Sequence, residues 1–104
     1  MPEMTLSVRW PDGRVQDCYS PSLVLHDHLV AGTTYTVRDF TRRSTLALAI
    51  ASERVKEKFG FACTSAAATT QQITESATAF GPDDVVEVVR MWPPLPAPTT
   101  QEAL

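Results

Sequence analysis

The sequence predicts an α+β domain: a three-stranded, mostly antiparallel sheet covered on one face by two long helices and a short one. The sheet is a β-hairpin plus a C-terminal strand. Three observations carry that expectation. Met4, Leu6, Val8 and Trp10 alternate with Thr5, Ser7 and Arg9, the period of a strand with one buried side. Between Thr36 and Gly60 the apolar residues recur at helical spacing. The run VVEVVRMW at 85–92 is β-branched and apolar on both faces.

The first strand spans 3–10. Pro11-Asp12-Gly13 then turns the chain: Pro fixes φ, Asp bonds its own backbone and Gly takes a positive φ. Residues 14–19, RVQDCY, return as the second strand, with Val15, Asp17 and Tyr19 on one face and Gln16 and Cys18 on the other. Its charges mark it as an edge strand. Ser20-Pro21 is a helix start and Gly32 a stop, so 22–30 reads as a short helix, although Leu23-Val24-Leu25 also suits an extended segment. Residues 32–35 connect it to the long helix.

The long helix has both ends marked. Thr36 is the N-cap, Asp39 completes a capping box, and Tyr35 with Phe40 occupies the hydrophobic-staple positions. Lys56 and Lys58 suit the negative end of the dipole, and Gly60 is the left-handed C-cap. Val37, Phe40, Ala47, Leu48, Ala51, Val55 and Phe59 form one stripe at about 100° per residue. Leu46 and Ile50 project from the opposite face and are the candidate partner interface. A second helix runs from Thr64 or Ser65 to about Ala79, with Phe61-Ala62-Cys63 folding the chain back before it. Ile73, Ala77 and Phe80 mark its buried side, and Gly81-Pro82 ends it. Residues 85–92 make the central strand. Residues 1–92 are then one domain, and 93–104, PPLPAPTTQEAL, a proline-rich disordered tail. Three strands leave a sheet face open, and dimerisation across an edge or that face closes it.

Bulk properties narrow the function. The chain has 104 residues, is 43% hydrophobic and 20% charged, and carries a net charge of −3. That balance argues against a nucleic-acid binder or a polybasic membrane-surface protein. No apolar run reaches membrane-span length, and MPEMTLSVRW lacks the pattern of a secretion signal, so a cytoplasmic protein is expected. Cys18 and Cys63, 45 residues apart, make no CxxC motif and read as reduced thiols.

A few residues can carry chemistry. His26 and His28 share a face only in a strand; in a helix they point about 200° apart. With Cys18 and Cys63 they compose a conceivable two-His, two-Cys metal site, though the spacing fits no zinc finger. Surface histidines are the plainer reading. Cys18 precedes a helix start, where a lowered pKa makes a thiol nucleophilic, so it is the candidate catalytic residue. Ser20-Pro21-Ser22 offers backbone amides to an anion, without the glycines or lysine of a phosphate loop. Arg42 and Arg43 are expected to be solvated and paired with Asp39. Trp10 and Trp92 end neighbouring strands, and an aromatic pair capping the sheet end, or a ligand platform there, is expected.

Three stretches together, VRWPDG at 8–13, CYSPSLV at 18–24 and IASERVKEKFGFAC at 50–63, resemble a small bacterial family of nitrogen-starvation-response proteins. The resemblance covers about residues 1–92. Its matching positions are Trp10, Asp12, Gly13, Cys18, Tyr19, Ser20, Pro21, Ser22, Glu53, Arg54 and Cys63. The second helix departs from the family in its Ala and Thr content, and the tail is longer. The resemblance implies a gene cluster with a nitrilase, a radical SAM protein, an acetyltransferase, a protein similar to aminoimidazole ribonucleotide synthetase and a flavoprotein. It implies nitrile or cyanide nitrogen scavenging, or synthesis of a small nitrogenous metabolite, and no catalytic residues or cofactor. The expectation is a non-catalytic accessory protein binding a partner from that cluster, a second copy of itself or a small nitrogenous ligand. Trp10, Cys18, Tyr19, Ser20, Ser22, Arg54 and Cys63 are the candidate binding residues. The alternative is a small enzyme or metal-binding protein using Cys18, Cys63, His26 and His28.

Overall fold

The computed structural model describes residues 3–60 and 64–94. In chain order it places β1 (Met4–Arg9), β2 (Val15–Ser20), a short 3-10 helix (Leu23–Asp27), β3 (Thr34–Thr36), α1 (Val37–Phe59), α2 (Thr64–Ala77) and β4 (Val85–Trp92). The α+β class is as expected, but the sheet has four strands in the order β2-β1-β4-β3. Every strand pair is antiparallel. The extra strand is the segment expected to be a bare connection. Thr34, Tyr35 and Thr36 pair with Glu87, Val86 and Val85, and Thr36 is at once the end of a strand and the cap of a helix. So short a strand leaves no alternation to read. It makes β4 one of two inner strands with β1, and β2 is an edge as its charges suggest.

The hairpin forms as its turn chemistry requires. Gly13 has φ +91°, its N–H donates to Trp10 O at 2.8 Å, and Arg14 N–H donates to Asp12 Oδ1 at 3.0 Å. Thr36 Oγ1 accepts the Asp39 N–H at 3.1 Å, and Gly60 closes α1 at φ +84°. The reciprocal half of the expected capping box is replaced by ion pairs. Asp39 turns its carboxylate to Arg42 at 2.6 Å and Arg43 at 2.8 Å. The short helix exists only as a 3-10 turn, which β-rich Leu23-Val24-Leu25 tolerates better than a full α-helix.

The core lies between one sheet face and the two helices. Met4, Leu6, Val8, Cys18, Val86, Val88 and Met91 meet Phe40, Ala47, Leu48, Ala51, Ala66 and Ile73 there. From its expected stripe α1 buries all but Phe59, which is 53% exposed, and adds Ser44, whose hydroxyl donates to Phe40 O at 2.8 Å. Ile50, expected to face away with Leu46, is half-buried against the core. α2 lies against β2, α1 against β3 and β4, and the helices pack on each other.

β4 is apolar on both faces, as its sequence suggests, but Met91 changes sides. Val8 pairs with Val88 and Ser7 with Arg90, so Val89 is an extra residue and the strand bulges there. The bulge shifts the phase, and Met91 joins Val86 and Val88 on the buried side while Val85 and Val89 face outward. The expected Trp10–Trp92 pair does not form. β1 and β4 run antiparallel, so Trp92 falls beside Thr5 at the opposite end of β1 from Trp10. Trp10 instead stacks on Phe80 (5.7 Å between centroids, 13°) and meets Phe40 edge-on. Cys63 and residues 95–104 of the expected tail lie outside the described residues.

Candidate functional site

The CYSPS stretch is divided by strand alternation. Cys18 and Ser20 point into the core and are fully buried, whereas Tyr19 between them faces out at 38% exposure. Burial pushes the Cys18 thiol up to about 12, with the neighbouring Asp17 charge adding to it, so near neutral pH it is a protonated, covered thiol. Ser20 Oγ donates to Ser22 O at 2.7 Å and accepts the Ser22 N–H at 3.2 Å. Ser22 Oγ accepts the Val24 N–H at 3.2 Å, and the Arg54 guanidinium reaches the same oxygen at 3.5 Å. These hydroxyls close the turn into the 3-10 helix, and Arg54 joins the later part of α1 to it. Three expected binding residues, Ser20, Ser22 and Arg54, therefore do converge, through contacts that hold the chain's own backbone.

The other candidates are scattered. Trp10 is buried at the far end of β1, its indole N–H donating to Gln16 Oε1 at 2.7 Å. His26 Nε2 lies 3.0 Å from Pro93 O, and the backbone carbonyl of His28 accepts from Arg43 Nη1 at 3.2 Å. Among the described residues no three His, Cys, Asp or Glu side chains gather at one point. Leu46 stands 49% exposed on α1.

Two surfaces stand out, one expected from the sequence as an open sheet face and one not. The first is the outer face of the sheet. Its rows, taken across β2, β1 and β4, are Tyr19–Thr5–Trp92, Asp17–Ser7–Arg90 and Val15–Arg9–Glu87. Ser7 donates to Asp17 at 2.6 Å, Arg9 pairs with Glu87 at 2.6 Å, and the Arg90 guanidinium lies 5.7 Å from the Trp92 ring centroid. The second is a groove of about 450 Å³ between the start of α1 and the end of α2. Val37, Ala77, Phe80 and Pro82 give it apolar walls, and Arg38, Thr41 and Arg42 border it. Its α1 residues, Val37, Arg38, Thr41 and Arg42, lie at i, i+1, i+4 and i+5, so one helix face was legible. Its opposition to Thr74 and Thr78 depends on how the helices pair.

Across the described residues no helix is long and apolar enough to cross a membrane. Neither the curated proteins nor the solved structures contain a match to this chain. The sequence model of the nitrogen starvation-induced protein NitG, in contrast, matches residues 5–91, from the first strand to the last, and the chain belongs to that family.

Proposed function

We propose that this protein is a non-catalytic accessory factor of the nitrogen-starvation response, acting by protein–protein contact through the outer face of its sheet. The observation that carries this reading is the composition of that face. Val15, Tyr19, Val85, Val89 and Trp92 are 52%, 38%, 54%, 37% and 58% exposed on a side that no described element covers. A sheet face this apolar is completed when another protein covers it. The sealed, protonated Cys18 gives a catalytic reading little to build on.

The occupant that the charges favour is a second copy of the chain. Tyr19 and Trp92 flank Thr5 in one row, and Asp17 and Arg90 flank Ser7 in the next. A two-fold axis along β1 turns Asp17 of each copy toward Arg90 of the other, and Tyr19 toward Trp92. The dimer is then the form that meets an enzyme of the nitrilase-containing cluster, in nitrile or cyanide nitrogen scavenging. Light scattering after size exclusion tests the pairing. The expected result is twice the monomer mass, monomer for Asp17→Arg, and dimer regained in Asp17→Arg/Arg90→Asp. A monomeric parent, or a dimer indifferent to Asp17→Arg, overturns it.

A further inference from the structure

We infer that the groove between α1 and α2 is a binding site for a small organic acid with an apolar body. This inference is independent of the sheet-face reading. A volume of about 450 Å³ falls within the range of about 300–1,000 Å³ usual for small-molecule sites. Its walls are mainly apolar: Val37, Ala77, Phe80 and Pro82. The Phe80 ring is braced from behind by the fully buried Trp10, stacked at 13°, so that wall is held by the core.

The charge at the rim has one sign, in a chain whose net charge is −3. Arg38 and Arg42 are the charged residues lining the groove. Arg42 is paired with Asp39, but Asp39 is shared with Arg43, so one carboxylate serves two guanidinium groups. Arg38 has no ion pair among the described residues. Besides Asp39, the acids nearest in sequence to the lining residues are Asp84, which accepts the Gly81 N–H at 2.8 Å, Glu75, which accepts from Gln71 at 2.8 Å, and Asp83. A guanidinium beside an apolar groove suits a carboxylate at the end of a hydrocarbon or aryl group.

Thr41 adds a second polar contact. Ser44, Thr45, Thr69, Thr70, Thr74 and Thr78 all donate to backbone carbonyls of the preceding turn. Thr41 departs from that habit. Its Oγ1 is buried and has no hydrogen-bond partner among the described residues, although the residue lines the groove. Rotation about χ1 carries the hydroxyl to another staggered position, from which it donates to a bound carboxylate.

The experiment follows amide and methyl NMR shifts of the full chain on titration with 4-phenylbutyrate. The neutral 4-phenylbutanamide and inorganic phosphate serve as controls. Saturable shifts confined to Val37, Arg38, Thr41, Ala77, Thr78 and Phe80 are expected. Affinity falls about tenfold for the amide, and as much for the acid in Arg38→Gln, the scale of one charge-assisted hydrogen bond. Phosphate alone leaves the groove unshifted. Thr41→Val weakens binding of the acid while raising the melting temperature of the empty protein, because it removes an unpaired buried hydroxyl. Shifts elsewhere, no saturation, equal affinity for acid and amide, or an Arg38→Gln variant that binds like the parent overturns the site. A Thr41→Val variant that binds like the parent overturns the role of its hydroxyl.

Discussion

Gln16 holds Trp10: its Oε1 accepts the indole N–H at 2.7 Å and, from α2, the Ser76 hydroxyl at 3.0 Å. One side chain on the edge strand thus joins the hairpin to the helix that crosses it. Trp10 is 1% exposed, so losing this acceptor strands its N–H away from water. Gln16→Leu is expected to lower stability by about 1–3 kcal/mol, the cost of a buried donor left unpaired. Urea unfolding measures it as a lower midpoint with an unchanged slope. A midpoint within error of the parent means the bridge contributes nothing to stability.

The same two residues show how far the sequence could be read. Alternation in β1 placed Trp10 on the buried side correctly, because a period of two is local. Its aromatic partner was not legible in the same way, because Trp92 ends a strand that runs in the opposite direction. The caps at Thr36 and Gly60 were legible for the same reason as the alternation: each is settled within four residues. The bulge at Val89 was not, since it exists only in the register between β1 and β4. Signature residues behaved similarly. Ser20, Ser22 and Arg54 stand out in sequence, and their contacts close the chain's own turn, whereas Arg38 and Thr41 were unremarkable until α2 was laid beside them.

Cys18 supplies a pH prediction. Its folded pKa is pushed up to about 12, mainly by burial, against about 8.5 for a free thiol. Between those values the unfolded chain loses the proton and the folded chain keeps it. The thiol's contribution is therefore fully present below about pH 8.5 and is lost as pH rises toward 12. In a Cys63→Ala background, Cys18 is expected to react with iodoacetamide only at the rate of unfolding. Adding Cys18→Ala flattens the alkaline part of the stability curve. Rapid alkylation of the folded protein at pH 8 refutes the burial argument.

The two ends of α1 give a pair of independent changes. Thr36→Ala removes the acceptor for the Asp39 N–H and is expected to destabilise by about 1 kcal/mol. Gly60→Ala puts a Cβ at φ +84° with no atom within 4 Å to meet it, so only backbone strain acts, about 1–2 kcal/mol. The helix of 23 residues separates the sites by roughly 35 Å at 1.5 Å per residue. Their effects should add in the double variant to within about 0.5 kcal/mol. Thermal or urea melts of the three proteins decide it, and a strongly non-additive double variant means that α1 frays as a unit.

Leu46 and Ile50 separate partner binding from folding. One turn apart on α1, Leu46 is 49% exposed while Ile50 packs against the core. If Leu46 is where a partner enzyme docks, Leu46→Asp leaves stability within about 0.5 kcal/mol and leaves the oligomeric state unchanged, yet abolishes co-elution with that enzyme. Ile50→Asp brings a carboxylate against apolar neighbours and lowers stability by about 1–3 kcal/mol. The contrast matters because a loss of co-elution in Ile50→Asp alone reports damaged folding. Co-elution that survives Leu46→Asp moves the docking surface off this face of α1.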